Sequence, residues 1–180
     1  SSPTNNAPFS AEIWLNPDYN VIANACAVGD AQMSGGRSGW IIYQTTATWT
    51  FRGYTGVGSG AAAQIIGGTA TPGAWHHMVV VWDGTTWSLY QNGGLIGSKT
   101  PLPGVGTNYL SAQSGNVTIG GRMDSLELNG GGAPYYWPGV ADEFAIYTNA
   151  LSLGDISTHY QNGTNAARTT PYQTLVLSQN

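Results

Sequence analysis

Apolar and polar positions alternate along most of this chain, the period of half-buried strands rather than of helices. The clearest stretch runs from Trp75 to Gly93. Met78-Val79-Val80-Val81-Trp82 is β-branched and aromatic, and Asp83-Gly84 is a strong short hairpin signal. In Trp87-Ser88-Leu89-Tyr90, the indole and Leu89 share one face while Ser88 and Tyr90 share the other. Asn92-Gly93-Gly94 then turns the chain, because Asn and Gly adopt positive φ cheaply. The same reading predicts strands over 11–15, 38–44, 48–52, 63–66, 76–82, 86–91, 94–98, 116–120 and 139–147. Gly56-Val57-Gly58-Ser59-Gly60 and Gly130-Gly131-Gly132 mark loops. Only 152–160 reads as helical, with Ser152 as N-cap, Asp155 three residues on, and Ile156 one turn from Tyr160. Many short strands and one helix near the C-terminus predict an all-β, two-sheet antiparallel sandwich.

The length of 180 residues suits one domain with a core of its own. Charged residues make up only 8% of it, so Gly, Ser, Thr and Asn must cover the surface, as is common in secreted and cell-surface β proteins. With five cations and a net charge of −4, the chain lacks the clustered Lys and Arg that a nucleic acid demands. Cys26 is the single cysteine, so no internal disulfide forms, and its expected place is a small apolar core position. No stretch reaches the roughly 18 to 20 apolar residues of a membrane-spanning helix. The absence of an initiating Met and of a charged-then-apolar leader predicts a processed or excised piece of a longer protein.

The run "WHHMVVVWDGTTWSLYQNG" resembles the central hairpin of bacterial laminin-G-like, concanavalin A-like jelly-roll domains. Pro8-Phe9-Ser10-Ala11-Glu12-Ile13-Trp14 is similar to their opening strand, and Val117-Thr118-Ile119-Gly120-Gly121-Arg122 to a later one. Asp142-Glu143-Phe144-Ala145-Ile146-Tyr147, Ala150-Leu151-Ser152 and His159-Tyr160 resemble the closing segment. The resemblance implies a jelly-roll sandwich over 1–165. Residues 166–180 are then a linker and a terminal strand, because Tyr172-Gln173-Thr174-Leu175-Val176-Leu177 resembles the start of a following repeat. That terminal strand is expected to complete a sheet, in this molecule or in an identical neighbour.

Histidines 76 and 77 are adjacent strand residues and point to opposite faces, so they cannot share one metal ion. The resemblance makes them a structural signature. The Asp142-Glu143 pair invites a glycosidase reading, since retaining hydrolysis needs two carboxyl groups about 5 Å apart. The E-x-D-x-x-E spacing of laminarinase-like enzymes is absent, however, and in the family the D-E pair supports the fold. The expectation is therefore no catalytic residue and no enzyme. No cofactor is required. Calcium, common in the superfold, has Asp30, Asp124, Glu127 and Asn129 as candidate oxygen ligands, all expected in loops, although solvated loop acids are the favoured reading.

Aromatic side chains beside Gly-rich loops are the remaining lead, because a ring covers the apolar face of a sugar while amides and hydroxyls bond its rim. Trp49, Tyr54, Tyr135, Tyr136 and Trp137 are the candidates, with Tyr135-Tyr136-Trp137 first. Trp14, Trp82 and Trp87 fall in strong strand patterns and are assigned to packing. The expected function is a non-catalytic, lectin-like module of a secreted or surface protein that binds a glycan or polysaccharide. The alternative is a structural or adhesive repeat of an extracellular array.

Overall fold

The computed structural model describes residues 7–32, 37–55, 61, 63–101, 117–121 and 136–164, without the side chains of residues 22, 23, 31, 32 and 55. Among them the order is β1 (Phe9–Pro17), β2 (Val21–Gln32), β3 (Ser38–Thr46), β4 (Thr48–Thr55), β5 (Ala63–Gly67), β6 (His76–Trp82), β7 (Trp87–Gln91), β8 (Gly94–Lys99), β9 (Thr118–Ile119), β10 (Gly139–Tyr147) and α1 (Leu153–Thr164). Two five-stranded sheets run β10-β1-β6-β7-β8 and β5-β4-β3-β2-β9, and every ladder pairs antiparallel. The expected two-sheet sandwich with one C-terminal helix is what forms. The terminal segment 166–180 lies outside the described residues.

The core lies between the sheets, where alternating positions of both meet: Phe9, Ile13 and Leu15 from β1, Trp49 and Phe51 from β4, Trp82 and Trp87 from the hairpin. Strand β6 is buried at all seven positions, because its sheet is covered on both faces. Met78, Val80 and Trp82 point into the sandwich, while Val79 and Val81 lie under Leu151 and Ile156 at the start of α1. The near-continuous apolar run of β6 thus follows from a helix laid across the outer face.

The capping box forms as read. The Ser152 hydroxyl accepts from the Asp155 backbone N–H at 3.1 Å, and Asp155 Oδ2 accepts from the Ser152 N–H at 3.0 Å. At the far end of the helix, Gly163 lies against the Trp14 indole, where a Cβ would stand 2.1 Å from Cζ2. Gly163→Ala is expected to lift this last turn despite the better helix propensity of Ala. The cost is about 1–2 kcal/mol, with faster amide exchange over the last turn of α1. Unchanged exchange would show that Trp14 swings aside freely.

The D-E signature also finds a structural account. Asp142 pairs with Trp14 and Ala145 with Glu12, so β10 carries an extra residue there, a β-bulge. Glu143 sits in it at φ 51°, and its N–H donates to the Asp142 carboxylate at 2.8 Å.

Candidate functional site

Four connections meet at the end of the sandwich where β1 leaves its sheet and β6 enters it, since Leu15 pairs with His76. They are tied by backbone bonds: Gly73 N–H to the Pro17 carbonyl (2.8 Å), Asp18 N–H to Pro138 (3.1 Å) and Ala70 N–H to Ala47 (2.9 Å). Two amide side chains pin them further. Gln44, fully buried, donates to the Tyr19 and Thr46 carbonyls, each at 3.1 Å, and accepts from the Trp137 indole N–H at 2.7 Å. Gln91 brackets Thr69, accepting from its N–H at 3.0 Å and donating to its carbonyl at 2.6 Å.

His76 Nδ1 lies 2.9 Å from the Gln91 amide nitrogen, while Nε2 accepts from the Thr71 N–H at 3.0 Å and lies 3.2 Å from the Thr71 carbonyl. Burial pushes His76 below the usual imidazole range, against the pull of the Thr71 bond, so the ring is held as a neutral strut. On this fixed end two aromatic rings stand in solvent, Tyr19 at 60% and Trp75 at 43% exposure. Asp18, Asn20 and Thr71, all exposed, lie in the same connections.

The residues expected to hold a sugar distribute differently. Trp49, Tyr54 and Trp137 are buried and offer no ring face to a dissolved ligand. Trp49 and Trp137 belong to the main core, their centroids 6.4 Å apart. Tyr54 belongs to a second buried cluster, with Cys26, Ile41 and Tyr43, on the opposite face of its sheet. Tyr136 and Trp137 diverge because consecutive extended residues point to opposite sides. Trp137 turns inward, whereas Tyr136 remains 60% exposed beside Gly121 and bridges Cys26 at the edge of β2. Tyr135 lies outside the described residues. Proximity to Gly-rich sequence was a poor guide to exposure. Trp75 carried a better signal, the Pro72-Gly73 turn just before β6.

The densest polar cluster lies on the outer face of the other sheet. Glu12, on β1, accepts from His77 Nε2 at 3.3 Å, from His159 Nδ1 at 2.9 Å and from the Tyr147 hydroxyl. Trp14 stacks on His77 at 5.0 Å and on Tyr160 at 6.0 Å, closing the cluster from the side. His76 and His77 do point to opposite faces. Burial alone raises the Glu12 pKa, but donors from His77, Tyr147 and His159, with the His159 charge, outweigh it and bring it to about 2. A glycosidase acid must hold a proton near neutral pH, and this carboxylate does the reverse. Its role is structural, joining β1, β6, β10 and α1.

Of the calcium candidates, Asp30 lies on strand β2 at 2% exposure rather than in a loop. Asp124, Glu127 and Asn129 lie outside the described residues. Among the described residues no group of three or more His, Cys, Asp or Glu is placed to hold a metal ion, and no helix is long and apolar enough to cross a membrane.

Residues 1–157 match the laminin-G family of the concanavalin A-like lectin/glucanases superfamily, and the chain belongs to that family. No curated protein matches the chain. Among solved structures, a Trypanosoma rangeli sialidase mutant with trans-sialidase activity superposes at TM-score 0.66 and 16% identity, over 88% of this chain and 23% of that one. A putative carbohydrate-binding protein from Bacteroides ovatus gives 0.58 and 13%, over 87% and 43%. The binding domain of Paraclostridial Mosquitocidal Protein 1 gives 0.61 and 15%, over 87% and 37%. The chain thus spans less than half of each of these, and at such identities the likeness is one of fold, the jelly-roll sandwich.

Proposed function

We propose that this chain is a non-catalytic, lectin-like module of a secreted or cell-surface protein, and that it takes a glycan at the end carrying Tyr19 and Trp75. The observation that carries the reading is the exposure of both rings on connections pinned by Gln44, Gln91 and His76. A ring held on a fixed backbone loses little entropy on meeting a sugar, and its face excludes water from the C–H side of the pyranose. Asp18, Asn20 and Thr71 supply the polar rim. Family membership and the carbohydrate-binding neighbour support the same class.

The test is affinity electrophoresis and calorimetry against a panel of neutral and acidic polysaccharides. Trp75→Ala is expected to weaken the bound glycan about tenfold and the Tyr19→Ala, Trp75→Ala double variant further, with the fold intact. Both positions are too exposed to matter to the core. A double variant that binds like the wild type would place the site elsewhere. Release of reducing sugar from any substrate would overturn the non-catalytic reading.

A further inference from the structure

All the exposed aromatic rings among the described residues stand along one rim of the sandwich. They are Tyr136 and Tyr19, each 60% exposed, and Trp75 at 43%. The sheet order β10-β1-β6 explains the arrangement. β1 ends at Pro17, which pairs with Gly139 at the start of β10, and Leu15 pairs with His76 at the start of β6. Tyr136 lies just before β10, Tyr19 just after β1 and Trp75 just before β6. Neighbouring strands stand about 4.8 Å apart, so the three segments are rooted in one row with Tyr19 in the middle. No ring is more than three residues from its strand, a reach of roughly 10 Å at most.

Hydrogen bonds hold the row together. The Asp18 N–H donates to the Pro138 carbonyl at 3.1 Å, and the Gly73 N–H to the Pro17 carbonyl at 2.8 Å. The Gln44 side chain donates to the Tyr19 carbonyl and accepts from the Trp137 indole, so one amide ties Tyr19 to the neighbour of Tyr136. Tyr136 is seated as well, since a Cβ on Gly121 would stand only 3.1 Å from its Cδ1. Beside the two ends of the row, at Gly120 and Gly73, an added Cβ would meet no described atom within 4 Å. Openings at both ends suit a chain that runs through better than a chain end held in a pocket.

Charge narrows the ligand. Asp18 is exposed next to Tyr19, on the side bonded to Pro138, and residues 18–20, 68–75 and 136–138 include no Lys or Arg. A carboxylate accepts strongly from sugar hydroxyls and repels a uronate or a sulfate.

We propose that Tyr136, Tyr19 and Trp75 form one track for an internal run of a neutral, linear polysaccharide. This rests on the glycan-binding reading and extends the same site, with Tyr136 as its third ring. Each further residue of the ligand that reaches a ring adds a stacking contact, so the site reads chain length.

The probes are cello-, xylo-, malto- and laminari-oligosaccharides from disaccharide to hexasaccharide, with oligogalacturonates as the acidic control, measured by calorimetry. In at least one neutral series, affinity is expected to rise about tenfold or more with length. Tyr136→Ala is expected to weaken the hexasaccharide about tenfold and to leave the shortest ligand that binds unchanged. Tyr136→Phe keeps the ring and should bind like the wild type, and both variants should melt with it because the position is exposed. A loss in Tyr136→Phe equal to that in Tyr136→Ala would make the hydroxyl the contact and overturn the track. A hexasaccharide that binds no tighter than the disaccharide, a Tyr136→Ala variant with full affinity, or an oligogalacturonate that binds tighter than every neutral oligomer also overturns the proposal. If Trp75→Ala still weakens binding in those cases, the lectin-like reading stands. If no oligosaccharide or polysaccharide binds, both fall.

Discussion

Trp87→Ala is expected to lower stability by about 3–5 kcal/mol, a large share of the 5–15 kcal/mol that holds a typical domain folded. Trp87 is fully buried where the two sheets meet. Its ring lies 4.9 Å from Phe51 of the facing sheet, 5.0 Å from its hairpin partner Trp82 and 5.6 Å, edge-on, from Phe9. Truncation forfeits these contacts and leaves a cavity that rigid strands cannot collapse around. Denaturant unfolding should show a lower midpoint with an unchanged slope. A companion change tests the geometry rather than the volume. A Cβ on Gly53 would stand 3.0 Å from the Trp87 indole nitrogen, so Gly53→Ala alone crowds the ring. In a Trp87→Phe background that crowding is relieved, and the two changes should cost less together than the sum of each alone. Strict additivity would mean that Gly53 and Trp87 do not press on one another.

The sandwich was legible because most strands carry two independent marks, alternation within and a turn residue at the border. β6 and β10 fall where the pattern puts them, and the capping box at Ser152 and Asp155 identifies α1 from four residues. Strand β2, twelve residues between β3 and β9, is not legible in the sequence. It is rich in Ala, and its register shifts between Val21 and Ala25 and again between Cys26 and Val28. Each shift resets the alternation, so no window shows a clean period, and the pattern alone places Asp30 in a loop.

The site was less legible for a related reason. Periodicity tells which residues share a face, but it does not tell which face a second element covers. Val79, Val81 and His77 are interior only because α1 crosses the sheet, a contact made across more than seventy residues of sequence. Glu12 likewise gains its partners from β6, β10 and α1, and none of them is near it in sequence.

That cluster sets the second large effect, which is an acid-sensitive one. The Glu12 pKa is about 2 in the fold against a reference of 4.5, so the unfolded chain binds the proton more readily. Its contribution is therefore complete above pH 4.5 and is lost as pH falls toward 2, about 2 kcal/mol once solvent screening is allowed for. Glu12→Gln puts an amide donor among three donors and orphans His77, which is 1% exposed. The cost at neutral pH is expected to be about 3 kcal/mol. Below pH 4.5 the variant should lose less further stability than the wild type, keeping only the acid dependence of groups such as Asp83 and Asp155, which are also held low. At the alkaline end, burial and the Glu12 carboxylate hold the Tyr147 phenol above its usual value. In Glu12→Gln that phenol should ionise nearer the ordinary range in an ultraviolet titration. Thermal melts from pH 2 to 7 decide the matter. A variant whose acid limb runs parallel to that of the wild type would show that the strands and the helix hold together without this carboxylate.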